Sequence, residues 1–301
     1  MKISTLTLGG TLAGVLALTT VPVESALYVY EGFQYGPAGQ DLVGNPDDLG
    51  GDDAADATGL SGTWSAAVGT GAEVDIQSGS LSSGPNFSGL TTNGNHVGAL
   101  TSANSTVMAR TTSVALNGSS DLWFSAVMQP LSSNSASQGG IAITSESLSN
   151  ARITSNGGTS ATLDGIGIGS ETSQNWRAYA WDGGVESIGD AELSTSSGDN
   201  HLMVGHVSFN TGTGGTDVFQ LYEYQGTVGS GSLVAVGSAI EVDLAEGALD
   251  TLNITRQRLA VYDEIRIADN LNEALGLPIP EPSSLALIAM GGMLIARRRR
   301  G

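Results

Sequence analysis

The chain has 301 residues, with 43 glycines, no cysteine, 5% aromatic residues and a formal net charge of −19 at pH 7. So acidic a surface repels nucleic acid and anionic lipid, and neither is expected as a partner. The lack of cysteine excludes disulfide staples, thiol chemistry and cysteine metal sites, which leaves burial to hold the fold together.

The chain opens with "MKISTLTLGGTLAGVLALTTVPVESA": one lysine, an uncharged run from Ile3 to Val23, then small residues. That order is the pattern of a secretory signal peptide, here residues 1–25. Val23 and Ser25 suit the positions three and one before a cut, so the mature chain is expected to start near Ala26. The competing reading is a first transmembrane helix; the Thr and Gly content of the run argues against it. Without the termini, residues 26–280 keep six basic and 28 acidic side chains, a net charge near −22.

Residues 26–268 show no long helical period. Short apolar runs alternate with Gly, Ser, Thr and Asn clusters, as in "DLWFSAVMQP", "DGIGIGS", "HLMVGHVSFNTGTGGTDVFQLYEY" and "RLAVYDEIRIA". Many short strands between turn signals predict one all-β sandwich domain. In "RLAVYDEIRIA", strict alternation puts Leu259, Val261, Ile265 and Ile267 on one face together with Asp263, and Arg258, Tyr262, Glu264 and Arg266 on the other. A carboxylate among apolar neighbours needs donors or a cation, and Asp263 is expected to be hydrogen-bonded.

Several of these segments together resemble the concanavalin-type, laminin-G-like jelly-roll bodies. "LYVYEGFQYGPAGQDLVG" is similar to their first strand and loop, "LWFSAVMQP" to a central strand, "HLMVGHVSFNTGTGGTDVFQLYEY" to the adjacent hairpin, and "YDEIRIADNLNEAL" to the closing strand. The resemblance implies a two-sheet jelly-roll β-sandwich and assigns no activity.

Four features invite a chemical reading. In the loop "NPDDLGGDDAADAT", residues 45–58, Asp47, Asp48, Asp52, Asp53 and Asp56 are candidate calcium ligands, since hard oxygens in a flexible loop suit that ion. Their spacing is not that of an EF-hand, and a solvated acidic loop is the competing reading; no other cofactor is implied. His201 and His206 differ by an odd number on one predicted strand, so they face opposite sides and cannot share a metal, while His96 stands alone. Asn86, Asn104, Asn117 and Asn253 match the Asn-x-Ser/Thr pattern. "GIGIGS" lies in a strand context and does not read as a nucleotide loop.

"EVDLAE" carries Glu241, Asp243 and Glu246. It resembles the E-x-D-x-x-E pattern of retaining endo-glycosidases built on a jelly roll, such as laminarinases. The resemblance implies Glu241 as nucleophile, Glu246 as acid/base and Asp243 as the group that adjusts them. In a strand Glu241 and Asp243 share a face, and a bulge before Glu246 would bring the second Glu onto it, with the carboxylates about 5 Å apart. The flanks "VAVGSAI" and "GALDTLNI" are not the Trp-, Pro- and Gly-rich surroundings of those enzymes, so the body is read as non-catalytic.

Residues 269–279 are expected to form a linker or short helix. The chain then closes on "IPEPSSLALIAMGGMLIARRRRG". Pro280 and Pro282 keep Glu281 extended and accessible. Ser283 to Ala296 is 14 uncharged residues, about 21 Å as a helix against a hydrocarbon core of about 30 Å, short for a permanent anchor. Arg297, Arg298, Arg299 and Arg300 fit the positive-inside rule, so this transmembrane segment reads as a transient stop. Tripeptide, apolar run and arginine cluster, residues 280–301, resemble the PEP-CTERM sorting signal, with Ile279 where that family often has Val. The resemblance implies export by the secretion machinery, processing by an exosortase-type membrane protease, and then release or attachment at the cell surface.

The sequence therefore reads as an exported bacterial protein, briefly held at the inner membrane and then delivered to the surface or extracellular matrix. Its body is expected to be structural or glycan-associated, with extracellular polysaccharide as the candidate partner. A carbohydrate-binding module and a retaining endo-glycosidase stay open as alternatives.

Overall fold

The computed structural model describes residues 26–33, 35, 57–68, 74–92, 94–98, 105–113, 116, 121–131, 138–170, 175–257 and 260–278, except the side chains of Gln138, Glu246 and Gln257. The expected signal peptide, the aspartates 47 to 56 of the acidic loop and the sorting signal from Pro280 onward lie outside the described residues.

Strands are numbered in chain order. Ten of them, β1 (Leu27–Glu31), β3 (Asp75–Gln77), β4 (Phe87–Ser88), β5 (His96–Gly98), β7 (Asp121–Pro130), β13 (His201–Ser208), β14 (Asp217–Thr227), β15 (Ser232–Ala235), β16 (Ile240–Val242) and β18 (Ala260–Ala268), form one sheet. The other eight, β2 (Leu60–Val68), β6 (Ser105–Thr112), β8 (Gln138–Thr144), β9 (Gly165–Ser170), β10 (Asn175–Asp182), β11 (Val185–Ile188), β12 (Leu193–Ser194) and β17 (Thr251–Gln257), form the second. The first sheet runs β15-β14-β13-β7-β18-β5-β3, with β1 beside β18 and both β16 and β4 beside β14. The second runs β11-β10-β9-β8-β17-β6-β2, with β12 beside β10. The chain crosses between the sheets from β1 to β2, β2 to β3, β5 to β6, β6 to β7, β7 to β8, β12 to β13, β16 to β17 and β17 to β18. The all-β two-sheet sandwich expected from the short alternating runs is the observed architecture.

Alternation along each strand builds the core. Leu122, Phe124, Ala126 and Met128 of β7 meet Ile166 and Ile168 of β9, Trp176 and Ala178 of β10, and Leu252 and Ile254 of β17 in one buried cluster. Each large apolar side chain buried there contributes about 1.5–3 kcal/mol. In "GIGIGS" the isoleucines are thus core residues, while Gly167 and Gly169 lie under Ile153, which sits in the short 3-10 turn Ile153–Ser155. Asn156, fully buried, holds that turn's loop by accepting from Ser149 N at 3.1 Å and Asn150 N at 2.9 Å and by donating to the carbonyls of Asn150 and Arg152. Asn253 is also fully buried; it accepts from Leu148 N at 2.9 Å and donates to Thr144 Oγ1 at 2.7 Å, so it is a structural residue and no surface acceptor for a glycan.

A second cluster covers the opposite side of the ten-stranded sheet. Val127, Leu202, Val204 and Tyr224 pack there under Leu81, Phe87, Leu90 and Leu275, with Leu271 and Leu277 against them. The stretch expected as linker or short helix contains α1 (Leu271–Ala274), capped by the Asn270 side chain accepting from Glu273 N at 3.1 Å. It is strapped down as well, since Ser125 Oγ donates to Ala274 O at 2.5 Å.

The strict alternation expected in the closing strand fails. Glu264 takes a φ of 52°, and the register against β7 shifts between Asp263 and Arg266. Ala260 and Tyr262 face the inter-sheet core before this bulge and Ile265 and Ile267 face it after, whereas Val261 packs in the outer cluster. Val261 and Asp263 therefore do not share the face of Ile265 and Ile267; the extra residue of a bulge reverses the count. Asp263 is hydrogen-bonded as expected, to Ser80 Oγ at 2.5 Å and Leu81 N at 2.7 Å.

Candidate functional site

The residues of "EVDLAE" fall at the edge of the sandwich. Ile240, Val242 and Leu244 are buried and Glu241 and Asp243 exposed, so the two acids share a face, and that face looks to solvent. β16 pairs only with β14 among the described residues, placing Glu241 opposite Val218, and Thr213 Oγ1 donates to Glu241 Oε1 at 3.2 Å. In place of the expected bulge, the strand stops at Val242 and Glu246 begins a 3-10 turn, Glu246–Ala248. Asp217 fixes this exit by accepting from Asn210 N at 2.8 Å and Leu244 N at 2.9 Å. Asp182 lies near Asp243; partial desolvation, then the charges of Asp164 and Asp243, raise its pKa above the usual carboxylate value. Among the described residues no group of three or more His, Asp or Glu side chains is arranged to hold a metal ion.

The two histidines of β13 separate as expected. His201 is buried on the side of Met203 and Val207, and His206 is half-buried on the other side. His201 Nδ1 lies 2.7 Å from Glu223 Oε1, which also accepts from Asn86 Nδ2 at 2.7 Å, while Gln225 Nε2 donates to Glu223 Oε2 at 2.7 Å. Burial pushes the Glu223 carboxyl up, but the bonds from His201, Gln225 and Asn86 outweigh it and hold the group below its ordinary value.

Register extends this pair into a polar layer of the core. Trp176, Ser170, Gly139, Arg256 and Thr106 form one rung across the eight-stranded sheet. Tyr262, Met128 and His201 form a rung of the other sheet. A Cβ at Gly139 would stand 2.3 Å from Tyr262 Oη, so the rungs face each other. Trp176 Nε1, Thr106 Oγ1 and His201 Nε2 are buried there without a protein partner. Such a group costs about 1–3 kcal/mol when left dry, so this layer suits ordered water.

On the outward side, the His206 ring stacks on Trp123 with centroids 3.7 Å apart and planes 13° from parallel. His206 Nε2 is 2.8 Å from Asp121 Oδ1 and 3.3 Å from Ser208 Oγ, and Ser208 donates to the same Asp121 oxygen at 2.9 Å. Serine, histidine and aspartate thus meet, but on one imidazole nitrogen. A nucleophilic triad needs acid and serine on opposite nitrogens. Burial holds the His206 pKa below its ordinary value, with the bond to Asp121 and its charge opposing. The sequence alone did not reveal this group, because Asp121 and Trp123 come from β7 and meet His206 and Ser208 only through the β7/β13 register.

A third polar centre ties the sheets together. Glu31, 1% exposed on β1, accepts from Phe33 N at 2.9 Å, Trp64 Nε1 of β2 at 3.3 Å, Arg110 of β6 at 3.3 Å and the Tyr35 hydroxyl. Burial raises the Glu31 pKa, and the donors from Tyr35, Phe33 and Arg110 oppose the rise. This is what "YEGFQY" supplies: a carboxylate and two aromatic side chains at one seam between the sheets.

Residues 278–300 match the PEP-CTERM protein-sorting motif. No curated protein matches the chain in sequence. Among solved structures it is similar to the T. cruzi calreticulin globular domain, with a TM-score of 0.48 and 11% identity over 83% of this chain and 91% of that one. It is also similar to the carbohydrate binding module CBM66 from Bacillus subtilis, with a TM-score of 0.33 and 12% identity over 67% of this chain and 92% of that one. For a legume lectin-like domain from Entamoeba histolytica the TM-score is 0.39, with 9% identity over 65% and 88%. The two sheets described above make the body an all-β sandwich. The chain carries a PEP-CTERM sorting motif at its C-terminal end.

Proposed function

We propose that this chain is an exported bacterial surface protein whose C-terminal signal is processed by an exosortase-type membrane protease, and whose sandwich is a structural or glycan-associated component of the extracellular matrix. The observation that carries the proposal is the sorting motif at 278–300. Its parts suit the task physically. The prolines keep Glu281 extended for a protease, the apolar run is short for a lasting anchor, and Arg297 to Arg300 oppose translocation. A body without cysteine needs no oxidative folding on the way out. Mass spectrometry of the surface protein, from an exosortase-bearing host and from the same host lacking the enzyme, tests the proposal. A mature form without the four arginines, formed only when the enzyme is present, is expected; a surface form that retains Arg300 would overturn it.

The glycan-associated reading has one surface feature in its favour, the half-exposed Trp123 stacked on His206 beside Asp121. Aromatic faces and polar side chains are what bind sugars. Binding on a glycan array that is lost in Trp123→Ala supports it, and an array without binding leaves the structural role. The retaining endo-glycosidase reading is decided by β-glucan hydrolysis with and without Glu241→Gln.

A further inference from the structure

We infer that removal of the signal peptide converts the first hydrogen bond of the body into an ion pair between the Ala26 ammonium and Asp269, which tightens the tie between β1 and β18 in the processed chain. The inference rests on the export reading and concerns what maturation does to the fold. Ala26 N donates to Asp269 Oδ2 at 2.9 Å, and Asp269 N donates back to Ala26 O at 3.1 Å. The second carboxylate oxygen is kept in place by Asn270 Nδ2 at 2.8 Å. These bonds close the outer end of the β1/β18 ladder, next to the Leu27↔Ala268 pair, where the register is already irregular between Leu27 and Val29.

Ala26 is also where the small residues before it place the cut. In the precursor its nitrogen is a neutral amide with one hydrogen. Hydrolysis of the Ser25–Ala26 bond adds hydroxyl from water to the Ser25 carbonyl carbon and hydrogen to the Ala26 nitrogen. Ser25 departs as a carboxylate, and the amine, with an ordinary pKa of about 7.7–8.0, takes up a proton at neutral pH. The new ammonium is then already within hydrogen-bond distance of a carboxylate. Chain ends fray unless tied down, and β1 carries Val29 and Glu31 into the core, so a clamp at its first residue protects more than itself.

The sequence makes the clamp easy to isolate. Lys2 is the one lysine of the chain and leaves with the signal peptide, so the Ala26 α-amine is the sole primary amine of the mature protein. An acetylating ester then reacts with that amine alone and returns the neutral amide of the precursor.

The test uses a chain of residues 26–301 initiated by a methionine, which methionine aminopeptidase removes before alanine, so that the free amine forms without export. Acetylation is expected to lower the Tm by about 2 °C when Asp269 is present, and to leave the Tm of Asp269→Asn unchanged. Acetylation that leaves the Asp269 chain unchanged, or lowers both chains equally, would overturn the ion pair. The cut is read separately, as the N-terminal peptide mass of exported protein. A first residue other than Ala26 there overturns the maturation step, whatever the melting experiment shows of the pair.

Discussion

Ile153 fills the space that Gly169 leaves open: a Cβ at Gly169 would stand 2.4 Å from Ile153 Cγ2, and Cβ atoms at Gly140 and Gly167 would stand 2.8 and 3.2 Å from Ile153 Cδ1. Ile153 is fully buried, so it has no free direction in which to yield. Gly169→Ala should lower stability by about 1–3 kcal/mol through overpacking. Ile153→Ala alone should cost about 2–5 kcal/mol, and the double variant less than the two costs added, because the added methyl would occupy space the isoleucine gave up. Urea unfolding of the three variants measures this; strict additivity would show that the two residues do not meet.

The Glu31 centre should behave as a buried ion pair with its partners built in. Glu31→Ala takes a buried carboxylate away from the Arg110 guanidinium, its partner at 3.3 Å in the interior. A loss of about 3–5 kcal/mol is expected. Glu31→Gln keeps an acceptor for Trp64 and Phe33 and should cost less. A Glu31→Ala chain within about 0.5 kcal/mol of wild type in denaturant unfolding would refute this account.

How far this was legible in the sequence follows from the physics of each element. Runs such as "LWFSAVMQP" and "GIGIGS" announced buried strands, because period-2 alternation is a local property. The pairing of Glu241 with Asp243 on one face was legible for the same reason. The β18 bulge was not, since no glycine marks it and the positive φ falls on Glu264, which the surrounding packing holds. Nor was the meeting of His206 with Asp121, which are 85 residues apart and depend on register between two strands. The sorting motif was the most legible of all, because its order of residue types suffices without a fold.

Asp263 should give the body a pH dependence of definite sign. Burial is the main cause that pushes its carboxyl up to about 8, against the donors Ser80 and Leu81. The folded chain thus holds a proton that the unfolded chain releases near pH about 4. The stabilisation from this group is complete below that pH and is lost as pH rises through about 8. Melting temperature should therefore fall between about pH 5 and about pH 8. Asp263→Asn, neutral throughout, should flatten the decline; Glu31, whose pKa is raised in the same direction, keeps its own share in both chains. An equal slope in wild type and Asp263→Asn would mean that Asp263 folds already ionised.

The two halves of the closing signal should fail in opposite ways. If Arg297 to Arg300 resist translocation as proposed, replacing all four with serine should weaken the stop, and precursor should slip into the periplasm with the tripeptide intact. Changing Pro280 and Pro282 to alanine takes away the two residues expected to keep Glu281 extended, while the apolar run and arginines survive. That variant should accumulate as a full-length precursor in the inner membrane. Fractionation followed by intact mass separates the outcomes, since one product is soluble and uncut and the other membrane-held and uncut. If the proline variant were cut and released like wild type, recognition would not need the extended tripeptide. If the serine variant stayed in the membrane fraction, the apolar run of 283 to 296 would be an anchor in its own right, and release could not be explained by a weak stop.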